Sequence, residues 1–255
     1  MGKSGRTWLR VFLYAYFCGL EKREFTLNAS KLAGTEIPKL VFTHDLWASR
    51  TTRKLKDRIS GKHLIPRIES RIKPILLLVR DPRDVVVSLF FQVTKRSARY
   101  AGMISSMIRH PNFGINSIIG VMNSWMEEWS NRSHFKLLRY EDCRKNTEAA
   151  FRDLLIFLGL KEIDDSVFAH SIRFSSFENM KRLEAAGQFK TKILSAGEVN
   201  DPDSYKTRRG VVGGFKDYLA PEDVLYLDHA MTLLDERFGY AQERTAGSRV
   251  TLTGQ

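Results

Sequence analysis

Apolar residues from Trp8 through Leu13 to Phe17 recur with the density of a largely buried helix, and that helix begins straight after Gly2-Lys3-Ser4-Gly5. Three short apolar runs, Leu40 to Thr43, Ile75 to Val79 and Phe135 to Leu138, are bounded by turns or charges and are expected to be buried parallel strands. Helical spacing recurs over Asp84 to Val93, Ile115 to Trp129 and Thr147 to Leu158, where Phe151, Leu154, Leu155 and Leu158 share a face. Strands alternating with helices predict an α/β layer fold with a parallel sheet.

Between Ala186 and Arg209 apolar periodicity is lost, and the stretch reads as a long loop, a kind that is usually functional or mobile. Residues 1–241 are expected to form one domain, and the polar residues 242–255 a flexible tail. Only Cys18 and Cys143 occur in 255 residues, which excludes a disulfide framework and a zinc-spaced thiol cluster. The run from Val11 to Leu20 is too short to span a bilayer and no small-residue cleavage pattern follows it, so a cytoplasmic protein without an integral membrane segment is expected. A net charge of +12 favours anionic partners without choosing among them.

Three segments carry candidate chemistry. In Gly2-Lys3-Ser4-Gly5-Arg6-Thr7-Trp8, small residues let backbone N–H groups approach an anion, the helix adds its positive end, and Lys3 supplies a point charge. This is not a Walker string, because Lys3 follows one glycine instead of closing GxxxxGK[ST]. Arg80 ends the second predicted strand, facing the crevice where open α/β sheets bind ligands, and Ser88 lies two helical turns beyond it. Arg208-Arg209-Gly210, with Gly213, Gly214 and Phe215 behind it, sets paired guanidiniums on flexible backbone. Taken alone, the first two segments read equally as an ordinary helix start or a surface Arg with a helix serine, and the third reads more readily as a solvated basic turn.

In this order and at these separations the three resemble the PAPS-dependent sulfotransferases, PAPS being 3'-phosphoadenosine-5'-phosphosulfate. GKSGRTW is similar to the family's PKSGTTW loop, Arg80 and Ser88 to its Arg and Ser eight residues apart, and the segment Arg208 to Phe215 to its RKGxxGxW element. Tyr140 in RYED and Ser175-Ser176-Phe177-Glu178-Asn179-Met180 resemble its YED and TSFxxM segments. The resemblance implies a P-loop-like three-layer fold, a central parallel sheet flanked by helices, and a chain apparently lacking the first strand. It implies that Lys3, Ser4, Gly5, Arg6, Thr7 and Trp8 bind the 5'-phosphosulfate end of PAPS, with Trp8 also reaching the base. It implies that Arg80, Ser88, Arg208, Arg209 and Gly210 grip the 3'-phosphate, that Trp8 and Phe177 sandwich adenine, and that Tyr140, Ser176 and Met180 complete the nucleotide site.

Thr43-His44 resembles the family's TH element and makes His44 the expected base, since an imidazole titrating near ~6.5 accepts a proton at neutral pH. Lys3 is expected to meet charge on the leaving oxygen. The resemblance implies PAPS as co-substrate and 3'-phosphoadenosine 5'-phosphate (PAP) as product, and no metal is indicated. The acceptor, a small molecule or glycan with a hydroxyl or amine, stays open: Met103 and Met107 suit an apolar pocket, Arg96, Arg99 and Arg109 an acidic glycan. No nucleic-acid motif is present. Arg6 departs from the family's Thr, Phe215 from its Trp, and the family's dimerisation pattern is not kept after Lys216, leaving the oligomeric state undetermined. The alternative functions are a noncatalytic anion- or nucleotide-binding relative and a P-loop kinase.

Overall fold

The computed structural model describes residues 2–32, 35, 37–43, 72–189, 191, 193–198 and 200–240. Helix α1 spans Arg6–Leu20 and is buried at every position from Val11 to Cys18. An all-round apolar helix of this kind belongs in a core, and among the described residues no helix is long and apolar enough to cross a membrane.

Two strands, β1 (Ile75–Val79) and β2 (Phe135–Arg139), pair in parallel with Ile75 opposite Phe135 and Val79 opposite Arg139. Parallel pairing requires a crossover, and the chain between them supplies α2 (Pro82–Phe91), a π-helical turn (Gln92–Arg96), α3 (Ile104–Ile108) and α4 (Ile115–Trp129). Beyond β2 run α5 (Tyr140–Lys145), α6 (Thr147–Phe157), α7 (Asp165–Phe174), α8 (Phe177–Ala185) and α9 (Pro221–Met231).

Strand side chains alternate between two cores, which produces the three layers. Ile75, Leu77 and Val79 pack with Val86 of α2, Met122 of α4 and Leu227 of α9. Leu76 and Leu78 face Phe12 of α1, Leu154 of α6 and Phe168 of α7 on the other side. Each large apolar side chain buried here stabilises the fold by about 1.5–3 kcal/mol. The α/β architecture matches the expectation.

Leu40 to Thr43 does not. It carries no regular secondary structure, although Leu40 and Phe42 still pack on the cores. A strand is defined by its ladder, and among the described residues the sheet has only β1 and β2, so apolarity alone does not make this run a strand. Among its described residues the 186–209 loop is irregular apart from a 3-10 turn at Pro202–Ser204, and it is pinned: Ser204 Oγ donates to Glu198 O (2.7 Å) and accepts from Glu198 N (2.8 Å).

Candidate active site

One cavity of about 1030 Å³ lies where the start of α1, the carboxyl end of β1 and the segment after residue 205 meet. Its floor is the turn before α1. Lys3 and Gly5 both hold left-handed backbone, φ 62° and 91°, which folds the chain back on itself. A Cβ at Gly5 would approach Tyr140 Cδ2 to 2.7 Å, so the position needs glycine on two counts. No side chain among the described residues caps α1, which leaves its first N–H groups available to an anion. Lys3 lines the cavity and donates from Nζ to Gln92 Oε1 at 3.5 Å.

Arg80 ends β1 because an extended chain running into Asp81-Pro82 must stop: Asp81 accepts from Arg83 N (2.9 Å) and Pro82 opens α2. The Arg80 guanidinium donates to Asp84 Oδ2 (3.0 Å) and Val211 O (2.6 Å), and stacks 4.6 Å from the Tyr140 ring. Its Nε is buried without a hydrogen-bond partner among the described residues. Asp84 in turn accepts from Gly213 N (2.9 Å) and Phe215 N (3.0 Å), so one carboxylate ties Arg80 to the glycine segment.

Tyr140 lies between. Its hydroxyl donates to Gly210 O (3.0 Å), and its ring meets Trp8 edge-on at 5.8 Å. Burial pushes the Tyr140 phenol upward, keeping it a neutral donor. Gly210 has φ 65°, and a Cβ there would come within 2.8 Å of the Phe177 ring. Glycine thus lets the backbone of the clamp close against the aromatic wall. Arg208 stacks 3.9 Å over the Phe91 ring and donates to the Tyr218 hydroxyl; Arg209 pairs with Asp217 at 2.7 Å.

Of the residues singled out from sequence, Lys3, Gly5, Arg6, Thr7, Trp8, Arg80, Ser88, Tyr140, Phe177, Met180, Arg208, Arg209 and Gly210 all line this cavity. Two do not. Ser4 is fully buried with its hydroxyl on Gly2 O, and Ser176 caps α8 by accepting from Asn179 N (3.2 Å). Their side chains support the loop and the helix carrying Phe177. His44 lies outside the described residues, though Thr43 before it lines the cavity. Among the suggested acceptor contacts, Met107 is fully buried, Met103 points outward at 73% exposure and Arg109 pairs with Asp223, whereas Arg96 and Arg99 line the cavity. The span 46–54, which is also expected to help build the acceptor pocket, lies outside the described residues.

Sequence reasoning missed Asp84, Gln92, Glu184 and Lys206. Glu184, on the helix opened by Phe177, accepts from Lys206 N (2.7 Å), Thr207 N (2.9 Å) and Thr207 Oγ1 (2.6 Å), fastening the chain just before Arg208. Its signal was faint: an acid among apolar neighbours in a strongly amphipathic helix.

Over residues 1–242 the sequence matches the sulfotransferase domain, and the chain belongs to that family. Curated relatives include cytosolic sulfotransferase 13 of Arabidopsis thaliana, 26% identical over 86% of this chain and 70% of that protein, and flavonol 3-sulfotransferase of Flaveria bidentis, 25% identical over 93% and 79%. A structure of retinol dehydratase in complex with androsterone and inactive cofactor PAP superposes with a TM-score of 0.50 at 20% identity, covering 66% of this chain. The chain spans about half the length of that protein, 49%, and the match supports the P-loop-like fold alone.

Proposed function

We propose that this chain transfers the sulfuryl group of PAPS to a hydroxyl or amine of an acceptor. The observation that carries the reading is the meeting of four separate segments, the stretch from Lys3 to Trp8, Arg80 with Ser88, the Phe177 ring, and Arg208-Arg209-Gly210, on one cavity. The cations and the uncapped helix start suit a doubly phosphorylated nucleotide, and the unpartnered Arg80 Nε suits a phosphate oxygen. PAPS supplies the activated sulfuryl group. His44 takes the acceptor's proton as its oxygen or nitrogen bonds to sulfur, while the bond from sulfur to the 5'-phosphate oxygen breaks and Lys3 meets the charge left there. PAP and the sulfated acceptor result.

Titration calorimetry with PAP on the folded chain is expected to show one site per chain, and radiolabelled PAPS to be consumed without magnesium once an acceptor is present. No heat of association with PAP would refute the proposal. Binding without turnover across a broad acceptor panel would favour the noncatalytic relative, and magnesium-dependent ATP turnover the kinase.

Lys3 adds a pH signature. Burial, and then Arg96, Lys206, Arg208 and Arg80, lower its ammonium from 10.5 to about 7. Because the unfolded chain keeps that proton up to 10.5, the cost of burying it is present in full below about pH 7 and is relieved between about 7 and 10.5, so this group makes stability rise with pH. Nucleotide binding runs the other way. A polyanion restores the proton, so PAP affinity is expected to fall above about pH 7, with protons taken up at pH 8.5, where phosphates of second pKa ~6 are already ionised. Calorimetry in buffers of different ionisation heat measures the uptake, and Lys3→Met should lose most of it; unchanged uptake would show that Lys3 does not face the nucleotide.

A further inference from the structure

Two cations beyond those matched to the nucleotide lie around the cavity and a smaller hollow beside it, Arg96 lining the first and Arg10 the second. Arg10 lies one turn after Arg6 on α1, its guanidinium 4.1 Å over the Phe42 ring. Arg96, with a side chain 10% exposed, comes from the π-helical turn, donates to Ser204 O and lies 3.9 Å from Glu184 Oε1. The Nε of Arg10 and the Nε of Arg96 are both buried with no hydrogen-bond partner among the described residues. Lys206, which lines the main cavity with Arg96, donates from Nζ to Ile193 O (2.6 Å), and Ile193 lines the smaller hollow with Arg10, which joins the two places.

Glu184 is the acid that interacts with Lys206 and Arg96, and its oxygens already serve the Lys206 and Thr207 amides and the Thr207 hydroxyl. Among the described residues that line the cavity, the only carboxylate is Asp84, which is likewise engaged. Two orphan guanidinium N–H groups in a low-dielectric, net cationic wall are costly unless an anion meets them. The nucleotide's roughly four negative charges already face Lys3, Arg6, Arg80, Arg208 and Arg209. Phe42 lines both the main cavity and a smaller hollow of about 350 Å³ that Arg10 and Tyr14 share, and Thr43, next along, leads in sequence to the proposed base.

We propose that the acceptor itself is anionic, bearing a carboxylate or a sulfate ester beside the hydroxyl or amine to be modified, and that Arg10 and Arg96 hold this group next to Phe42. The inference rests on the PAPS-dependent reading above and adds the substrate class to it.

The test uses acceptors matched in shape and differing in charge: 4-hydroxybenzoate against 4-hydroxybenzamide, and glucuronate-ended against glucose-ended oligosaccharides, the two arms separating a small-molecule from a glycan source. In at least one pair the anionic member should be turned over with kcat/KM about tenfold or more above its neutral partner, the scale of one charge-assisted hydrogen bond. Arg10→Gln should raise KM for that acceptor by about tenfold and leave KM for PAPS and the PAP Kd unchanged. Arg10→Lys, which keeps the charge and loses the fork, should fall between. Equal turnover of both members, or of neither, in every pair overturns the inference, as does an Arg10→Gln variant that weakens PAP by the same factor, since the arginine would then serve the nucleotide. A wild-type chain that binds no PAP fails at the sulfotransferase reading instead. PAP bound normally with no charge preference defeats the anionic acceptor alone.

Discussion

His44→Ala is expected to lower turnover by about 10²–10⁴-fold, the range for loss of a general base, while PAP affinity stays near that of the wild type. The asymmetry follows from where the two jobs reside. The groups matched to the nucleotide sit at the turn before α1 and its first residues, at the junction of β1 and α2 and along α2, at the starts of α5 and α8, and on the segment from 208 to 210. Their described hydrogen bonds run among Gln92, Asp84, Val211, Gly210 and Tyr218. A base, by contrast, acts only as the acceptor's proton leaves, so its removal is felt in kcat and hardly in a binding constant. Single-turnover consumption of labelled PAPS and PAP calorimetry, run side by side on the variant, measure the two quantities. Loss of both in equal proportion would show that His44 supports the nucleotide site or the fold and is not the base.

Much of the site was legible because its determinants are local. Gly5 and Gly210 are marked in the sequence by needing backbone that other residues avoid, and the Arg80-Asp81-Pro82 stop is a capping signal readable without any tertiary knowledge. The layers were legible for a similar reason: alternate residues of Ile75–Val79 feed two cores, and the helices between the strands keep a 3.6-residue stripe. What escaped depends on partners distant in sequence. Leu40 to Thr43 has the composition of a strand but lacks a ladder among the described residues, and apolarity does not say which edge a run will pair with. Glu184 and Asp84 read as ordinary helix acids, because nothing local announces that their oxygens will collect N–H donors about 22 to 131 residues away. Ser4 and Ser176 show the opposite case, with side chains off the cavity lining. Small hydroxyl residues beside a ligand loop are matched by motif, yet here one hydroxyl folds the turn and the other caps α8.

Asp84 is where fold and function are most tightly joined, and Asp84→Ala is expected to destabilise the protein by about 3–5 kcal/mol, the cost of stripping one partner from a buried ion pair. The carboxylate is 2% exposed and holds the Arg80 guanidinium at 3.0 Å, Gly213 N at 2.9 Å and Phe215 N at 3.0 Å. Its loss strands a cation that is 12% exposed and two amide donors at once, and leaves Arg80 the Val211 carbonyl among its described hydrogen-bond partners. Against a total stability of about 5–15 kcal/mol that is a large share, and a urea titration should place the midpoint far below the wild type's. Asp84→Asn separates the contributions. The amide keeps the shape and one acceptor oxygen for an N–H, but it removes the charge facing Arg80 and points an NH2 at a second donor, so a smaller loss of stability is expected. In that folded variant the 211–215 segment is no longer drawn onto α2, Gly210 loses its register against Phe177, and PAP affinity should fall even though residue 84 is matched to no atom of the nucleotide. A variant with the wild-type midpoint and wild-type PAP affinity would mean that the segment is held by its other contacts, Phe215 in the core beneath Arg83 above all, and that the carboxylate merely follows.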